Sequence, residues 1–264
     1  MSLRVLVNGA GGRMGKEVVK AVCRAADMEL VAAVDPACAG QDIGVAAGLG
    51  ELGVVVDADL AQAIQRVQPE RVVDFTMPST VAANARTVLS AGVHLVIGTT
   101  GLLEQDLQKL DALAREQRVG VVHAPNFALG AVLMMRFARE AARFFPGVEI
   151  IELHHDKKRD APSGTAIKTA EMIKEVWRKP EAGVVEELKL AGARGSDFAG
   201  VHIHSVRLPG LIAHQEVLFG GPGQTLTIRH DSMDRESFMP GVLLAIRKVA
   251  DFQGLVYGLE HLLF

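Results

Sequence analysis

The chain has 264 residues, of which 49% are hydrophobic, and it carries a formal net charge of −3. This length suits two modest domains or one large one, the apolar content argues against disorder, and the charge argues against a general nucleic-acid binder. No apolar run is long enough to predict a membrane span, and the N-terminus lacks the features of a signal peptide. The two cysteines, Cys23 and Cys38, show no metal-ligand spacing, so we expect a reduced, cytoplasmic setting.

Short apolar runs alternate with helical patterns through the first half of the chain. Alternation of buried strands with helices is typical of a parallel sheet covered on both faces, so this half is predicted to be an α/β domain. The strands are predicted at 3–8, 28–34, 54–56, 71–75, 94–98 and 119–124, and the helices at 12–26, 59–67, 79–91 and 103–117.

The pattern changes after Pro125, where strands that alternate polar and apolar residues become frequent. Such alternation is typical of antiparallel strands with one exposed face, and GGPG at 220–223 predicts a hairpin turn. We therefore expect a second, α+β domain with an open mixed sheet that favours self-association. Its strands are predicted at 148–155, 201–208, 214–220 and 224–231, its helices at 130–144 and from PSGTA to about 177, and a loop at 180–200. A final helix at 237–250 and an apolar tail at 251–264 are predicted to pack on the first domain.

A glycine turn, VNGAGGRMG, follows the first strand and opens the first helix. Gly9, Gly12 and Gly15 have the spacing G-x-x-G-x-x-G, a relative of the dinucleotide-binding fingerprint. Small residues let the backbone turn tightly and approach a pyrophosphate, which a helix N-terminus attracts. Asp35 ends the second strand 20 residues after Gly15, where a carboxylate would bind an adenosine ribose. The alternative is a tight turn without a ligand, but together these features favour a Rossmann-type nucleotide domain.

Asp35 also bears on the choice of cofactor. A carboxylate accepts hydrogen bonds from a free ribose 2′-hydroxyl and repels a 2′-phosphate. Pro36 follows it, so no arginine stands there to hold that phosphate, although Arg13 could partly serve NADPH. We therefore expect NADH to be used at least as well as NADPH.

The stretch ELHHDKKRDAPSGTA at 152–166 gathers titratable and cationic side chains just before a helix start. Histidine exchanges protons near neutral pH, lysine supplies a cation or an acid, and amides at a helix start hold a carboxylate. The arrangement suits an anionic substrate, and the alternative is a solvated loop with Ser163 as N-cap. A metal is not predicted, because no third ligand has a useful spacing and the lysines disfavour a cation. His202, His204, His214 and His230 are likewise expected to be satisfied strand histidines.

The chain resembles the 4-hydroxy-tetrahydrodipicolinate reductase family, formerly called dihydrodipicolinate reductase, over essentially its whole length. The motifs that carry the resemblance are GAGGRMG, IGTTG, APNF, E-x-H-H-x-x-K-x-D-x-P-S-G-T-A and SFMPGV. The resemblance implies a nucleotide domain formed by 1–126 with 237–264, and a substrate-binding and oligomerisation domain at 127–236. It also implies a homotetramer and a small dicarboxylate substrate, with neither nucleic acid nor membrane as a partner. The implied reaction is the NADH- or NADPH-dependent reduction of dehydrated 4-hydroxy-tetrahydrodipicolinate to tetrahydrodipicolinate, in lysine and diaminopimelate biosynthesis.

The resemblance also assigns roles to residues. It makes His154 the catalytic proton donor or acceptor and Lys158 a proton donor. The implied substrate contacts are His155, Ser163, Gly164, Thr165 and Arg235. The implied cofactor contacts are Gly9, Ala10, Gly11, Gly12, Arg13, Met14, Asp35, Gly98, Thr99, Thr100, Ala124, Pro125, Asn126 and Phe127.

Two other functions fit part of the sequence. A reductase of another small acid would share the glycine turn but would not need the H-H-x-x-K-x-D-x-P-S-G-T run. A non-catalytic NAD-sensing protein would keep the turn and Asp35 but would have no reason to place His154 and Lys158 beside an anion site.

Overall fold

The computed structural model describes residues 2–178 and 187–264. Its strands are β1 (Leu3–Asn8), β2 (Met28–Val34), β3 (Val56–Asp57), β4 (Arg71–Asp74), β5 (His94–Ile97), β6 (Gly120–His123), β7 (Gly147–His154), β8 (Ser196–Phe198), β9 (Val201–Arg207), β10 (Ala213–Gly221), β11 (Gln224–Ser232) and β12 (Gly254–Tyr257). Its helices are α1 (Arg13–Arg24), α2 (Ile43–Ala47), α3 (Leu60–Val67), α4 (Val81–Ser90), α5 (Glu104–Glu116), α6 (Leu129–Ala141), α7 (Gly164–Lys174) and α8 (Met239–Lys248). These elements form two compact units, 1–127 with 238–264, and 128–237.

The first unit is built on a parallel sheet with the strand order β12-β6-β5-β4-β1-β2-β3. The central strands are continuous apolar runs, and Val5, Leu6, Val7 and Leu95 are fully buried, as expected when helices cover both faces. The order reverses between β1 and β4, and ligands of such sheets bind at the carboxyl ends of the strands beside this point. The predicted Rossmann-type domain is confirmed.

Three elements of this unit depart from the predictions. The strand predicted at 54–56 is reduced to the two residues of β3, and the unpredicted helix α2 precedes it. Asp42 starts α2, because its carboxylate accepts hydrogen bonds from the amides of Gly44 and Val45 at 2.8 and 3.2 Å. The apolar tail does more than pack on the unit, since β12 pairs in parallel with β6 and forms an edge of the sheet.

The second unit is built on a mixed sheet with the strand order β11-β10-β7-β9-β8. The open mixed sheet is confirmed, as is the hairpin at 220–223, where Gly221 pairs with Gln224. The alternating pattern indicated antiparallel strands, which holds for β10 with β7 and β11, but β9 runs parallel to β7 because α7 lies in the connection between them. The loop predicted at 180–200 lies outside the described residues at 179–186, and beyond them it includes the short strand β8.

The register of this sheet aligns four residues at one end. His154 on β7 pairs with Ala213 on β10 and with Arg207 on β9, and Ala213 pairs with Ser232 on β11. Alternate residues of β7 are buried, and the buried face includes Ile150. The loop that carries the basic cluster leaves the sheet at this end.

Across residues 2–178 and 187–264, no helix combines the length and the hydropathy needed to span a bilayer.

Candidate functional site

The glycine turn of the first unit is packed too closely to accept side chains. Gly9 has a φ of +79°, and a Cβ added there would lie 2.4 Å from the carbonyl oxygen of Phe75 in the loop after β4. A Cβ added at Gly15 would lie 1.9 Å from the Gly9 carbonyl oxygen. Gly12, in extended conformation, caps α1, and Gly12 and Arg13 are exposed. The turn therefore brings exposed backbone to the N-terminus of α1, which suits a pyrophosphate.

Asp35 is tied to this turn by its carboxylate. Its two oxygens accept hydrogen bonds from the amides of Gly11 and Ala37 at 2.9 and 3.0 Å. A Cβ added at Gly11 would lie 3.0 Å from the carboxylate and 2.5 Å from the Cys38 sulfur. The two backbone bonds use about half of the acceptor capacity of a carboxylate, so the half-buried Asp35 keeps capacity for ligand hydroxyls.

A buried carboxylate organises the loops after β4 and β5. Asp74 is 1% exposed and accepts hydrogen bonds from the side chains of Asn8 and Thr99 at 2.8 Å each. The Thr76 hydroxyl donates at 2.8 Å and the Asn84 amide at 3.0 Å. Several donors thereby satisfy a buried charge that would otherwise be costly. The Thr99 hydroxyl is thus engaged within the protein and holds its loop in place.

The other predicted residues of these loops divide into buried and exposed groups. Gly98 allows close packing, because an added Cβ would lie 2.1 Å from the ring of Phe75. The Phe75 ring packs in turn on the buried Phe127, with centroids 5.9 Å apart. Gly98 and Phe127 therefore shape the scaffold. The remaining residues of the predicted set are buried (Ala10, Ala124), half-buried (Met14, Asn126) or exposed (Thr100, Pro125).

In the second unit, a buried glutamate holds the predicted catalytic histidine. Glu152 and His154 project from the same face of β7, and Glu152 is fully buried. Its Oε2 lies 2.5 Å from His154 Nδ1, and Arg207 from β9 makes two parallel bonds to the carboxylate at 2.7 and 2.8 Å. The amide of Ser163 donates to Oε1 at 3.2 Å.

These contacts set the protonation of the pair. Burial raises the pKa of Glu152, but hydrogen bonds from His154, Arg207 and Ser205 outweigh it and bring the pKa down to about 2. The carboxylate is therefore ionised at neutral pH and only accepts hydrogen bonds, so the Nδ1 atom of His154 carries a proton. Nε2 is then the ring nitrogen that this contact leaves for a ligand.

Lys158 is held by the aspartate of the same motif. Its Nζ donates to both carboxylate oxygens of Asp160 at 2.9 and 2.7 Å. The carbonyl oxygen of Asp160 accepts a hydrogen bond from Arg207 at 2.8 Å. The backbone amide of Lys158 donates to the carbonyl of His155 at 3.1 Å, which turns the chain and leaves His155 exposed.

The start of α7 faces open space. Ser163 caps the helix by accepting a hydrogen bond from the Ala166 amide at 3.2 Å. Gly164 is exposed, and among the described residues a Cβ added there would meet no atom within 4 Å. Packing therefore does not demand glycine at 164, whereas a ligand approaching the backbone would, and Thr165 follows half-buried in the same turn. Arg235 is exposed three residues after Ser232, the residue aligned with His154 across the sheet, and so belongs to the same end.

The structure brings His154, Lys158 and Ser163 together through three residues absent from the predicted site. Glu152 and Asp160 stand inside the recognised motif, as its first residue and as the aspartate after the lysine, so the motif itself could have pointed to them. Arg207 lies 55 residues from Glu152, and no local pattern marks it.

Two of the four strand histidines, His204 and His214, pair with acidic residues. His204 Nε2 lies 2.7 Å from Glu149, and His214 Nδ1 lies 2.7 Å from Asp231, as predicted for satisfied histidines. The ring of His230 packs on Gly130. The prediction is wrong for His202, whose buried Nδ1 has no hydrogen-bond partner in the described part of the chain. The described residues hold no cluster of three or more His, Cys, Asp or Glu side chains placed to bind a metal ion.

Comparison with known proteins gives the same family for both parts of the chain. The family model of the dihydrodipicolinate reductase N-terminus matches residues 3–127, and that of the C-terminus matches residues 130–263. A 4-hydroxy-tetrahydrodipicolinate reductase from Syntrophomonas wolfei is 56% identical over 261 residues, which cover 98% of each chain. One from Moorella thermoacetica is 53% identical and is matched over 99% of this chain and 98% of its own.

A solved structure agrees with these relatives. The dipicolinate-bound dihydrodipicolinate reductase from Paenisporosarcina sp. TG-14 superposes with a TM-score of 0.88, is 48% identical, and is covered over 99% of both chains. The chain therefore belongs to the dihydrodipicolinate reductase family, and it is an oxidoreductase with a nucleotide-binding domain. This finding confirms the resemblance drawn from the motifs.

Proposed function

We propose that this member of the dihydrodipicolinate reductase family reduces the cyclic dehydration product of 4-hydroxy-tetrahydrodipicolinate to tetrahydrodipicolinate, in lysine and diaminopimelate biosynthesis. The observation that carries the proposal is the arrangement around His154. An ionised glutamate holds its Nδ1, and the same loop brings Lys158 and the start of α7 to this end of the sheet. Such a set of groups binds an anionic ring and delivers a proton to it.

The first unit fits a nicotinamide dinucleotide. The glycine turn and the start of α1 would hold the pyrophosphate, and the Asp35 carboxylate would bind the adenosine ribose. The bound reduced nicotinamide supplies the hydride. Because Asp35 is followed by Pro36, NADH is used at least as well as NADPH.

The second unit would bind the planar diacid. One carboxylate is placed on the backbone at Ser163, Gly164 and Thr165, where the helix dipole favours an anion. His155 and Arg235 contact the remaining polar groups. The solved relative that is described as dipicolinate-bound supports a ligand of this chemical class.

The chain's own residues manage the proton of the reaction. The substrate takes up one hydride at the ring carbon conjugated with the imine, and the displaced electron pair moves towards the ring nitrogen. The ammonium of Lys158 and the cationic form of His154 lie on the same loop and strand end, so they would offset this charge, and one of them would deliver the proton. One hydride and one proton together complete the reduction.

The second unit is also the proposed oligomerisation domain of a homotetramer. Residues 224–227 at the start of β11, an edge strand of the open sheet, are exposed, and Leu226 is among them. Pairing of this sheet with that of another copy would cover them. Light scattering of the purified protein should therefore give the mass of four chains, and a monomer would contradict this assignment.

A coupled assay tests the reaction. Dihydrodipicolinate synthase, pyruvate and aspartate semialdehyde generate the substrate, and loss of NADH or NADPH reports its reduction. Lys158→Ala should lower kcat by about 10²- to 10⁴-fold, the usual contribution of a general acid, while NADH binding persists. Lys157→Ala is the matched control, because Lys157 is the exposed neighbour with the same charge.

Two outcomes would overturn the proposal. Absence of turnover with both cofactors would leave a different reductase or an NAD-sensing protein as the explanation. Turnover that Lys158→Ala and Lys157→Ala reduce equally would remove Lys158 from the reaction.

A further inference from the structure

Glu152 on β7 and Arg207 on β9 form an ion pair that is largely buried. The Glu152 side chain is 0% exposed and that of Arg207 is 19% exposed. Burying a salt bridge costs desolvation that its attraction often only balances, and an apolar pair of similar size is often as stable. Stability of the sheet is therefore a weak reason for this pair, which points to a further role.

Every acceptor position of the Glu152 carboxylate is occupied. Oε2 accepts from His154 and Arg207, and Oε1 accepts from Arg207 and the Ser163 amide. Ser205 on β9 also donates to this carboxylate. The carboxylate thus joins the end of β7, β9 and the start of α7. A fully satisfied buried network of this kind restricts each member to one geometry.

Arg207 also binds the loop segment that carries Lys158. One of its guanidinium nitrogens donates to the carbonyl oxygen of Asp160 at 2.8 Å, and the Asp160 carboxylate holds the ammonium of Lys158. The Glu152–Arg207 pair therefore contacts His154 directly and reaches Lys158 through Asp160. The charged and titratable groups around the pair are His154 on β7 and, in the loop after β7, Asp160 with Lys158.

We propose that the Glu152–Arg207 pair positions both proton-transferring side chains, with Glu152 fixing the tautomer and orientation of His154 and Arg207 fixing the segment that carries Lys158. This inference rests on the proposed function, since it takes His154 and Lys158 as the proton-transferring groups. Glu152 and Arg207 are positioning residues that act through those two side chains.

The chain contains a matched control on the opposite face of the same strand. Glu149 also bonds one histidine and one arginine, His204 at 2.7 Å and Arg194 at 2.5 Å. It points away from the face that carries Glu152 and His154, because side chains of a strand alternate. Glu149→Gln therefore removes an equivalent charge from β7 without touching the loop.

The test compares Glu152→Gln with Glu149→Gln in the coupled assay across pH. Glu152→Gln keeps the shape of the side chain but replaces the carboxylate beside His154 Nδ1 with a neutral amide. We expect kcat to fall at least about tenfold, below the 10²- to 10⁴-fold of losing a general acid outright. The alkaline limb of the kcat/KM profile should move to lower pH, and the KM for NADH should not change. Glu149→Gln should keep the wild-type kcat and profile.

A second variant tests the role of Arg207 separately from that of Glu152. It also keeps the inference testable if Glu152→Gln folds poorly. Arg207→Lys keeps a positive charge but loses the paired bonds to Glu152 and the bond to the Asp160 carbonyl. It should lower kcat while leaving the alkaline limb closer to wild type than Glu152→Gln does, with thermal unfolding recorded for each variant.

The outcomes distinguish this inference from the proposed function. If the wild type fails to turn over the substrate, the proposed function falls. If the wild type is active and Lys158→Ala is impaired, but Glu152→Gln keeps the wild-type kcat and pH limb, the positioning role falls and the function stands. Equal losses of kcat in Glu152→Gln and Glu149→Gln would also overturn the positioning role, because they would indicate a general effect of removing a charge from β7.

Discussion

Replacing Asp35 by asparagine tests how the first unit selects its cofactor. The carboxylate accepts hydrogen bonds from the amides of Gly11 and Ala37, at 2.9 and 3.0 Å, and its remaining capacity is assigned to the ribose hydroxyls. An asparagine side chain nearly matches that of aspartate in size, so the turn can keep its shape while the charge is lost. The expected effect is therefore on the ligand rather than on the fold.

The size of the effect follows from the bonds involved. A hydrogen bond to a charged group contributes about 1.5–3 kcal/mol, and one between neutral groups about 0.5–1.5 kcal/mol. Two ribose hydroxyls would thus lose about 2–3 kcal/mol in total, which corresponds to about 30- to 150-fold weaker binding of NADH. Binding of NADPH should improve instead, because the repulsion between the carboxylate and the 2′-phosphate disappears.

Fluorescence titration of both cofactors measures these changes, and the coupled assay gives the matching KM values. Asp57→Asn is the control, because Asp57 ends the neighbouring strand β3 and pairs with Arg66 on the surface, where an ion pair contributes little. Unchanged NADH affinity in Asp35→Asn would refute the role of Asp35 in ribose binding. An equal loss for both cofactors would show that Asp35 acts only by holding the Gly11 amide.

Two further predictions concern the second unit. Gly164→Ala should leave thermal unfolding unchanged, since the added Cβ would meet no atom within 4 Å among the described residues. It should raise the KM for the substrate in the coupled assay, and an unchanged KM would contradict a ligand at the start of α7. The pKa of Glu152 is lowered from 4.5 to about 2 in the folded protein, so its stabilising contribution is complete above about pH 4.5 and is lost as the pH falls towards 2. Urea unfolding should therefore show the stability difference between wild type and Glu152→Gln shrinking over this range by up to roughly 3 kcal/mol, whereas a constant difference would contradict the lowered pKa.

The α/β part of the fold was predictable because its strands are continuous apolar runs separated by helical periodicity. What the sequence did not reveal depends on contacts between distant residues. Helix α2 has only five residues and starts where Asp42 also binds the amides of Leu52 and Gly53, ten and eleven positions further on. The direction of β9 likewise follows from its pairing with β7, which no local pattern encodes.

The candidate site shows the same division. His154, Lys158 and Ser163 stand in one short motif, so residue type and spacing were enough to find them. Their direct partners Glu152 and Asp160 stand in the same motif, but Arg207, which joins the two, is 55 residues from Glu152. In the first unit, Asp74 is likewise 66 residues from its donor Asn8. The hydrogen-bond donors of such a buried carboxylate come from distant parts of the chain, so its role can be recognised only when the fold is known.

Glu149 and Glu152 illustrate what the fold adds to the sequence. Both are glutamates of β7 that bind a histidine and an arginine, yet only Glu152 lies on the face and at the end where the loop returns to the sheet. An apolar pair in place of Glu152 and Arg207 would spare the desolvation cost but would strip partners from His154 Nδ1, the buried Ser163 amide and the Asp160 carbonyl. An unsatisfied buried group such as the Ser163 amide costs about 1–3 kcal/mol, which is comparable to the roughly 1–4 kcal/mol that replacing a buried ion pair can recover, so stability alone does not favour either pair. The ion pair is therefore favoured at this strand end because the loop it anchors must present a histidine, a lysine and a helix start together.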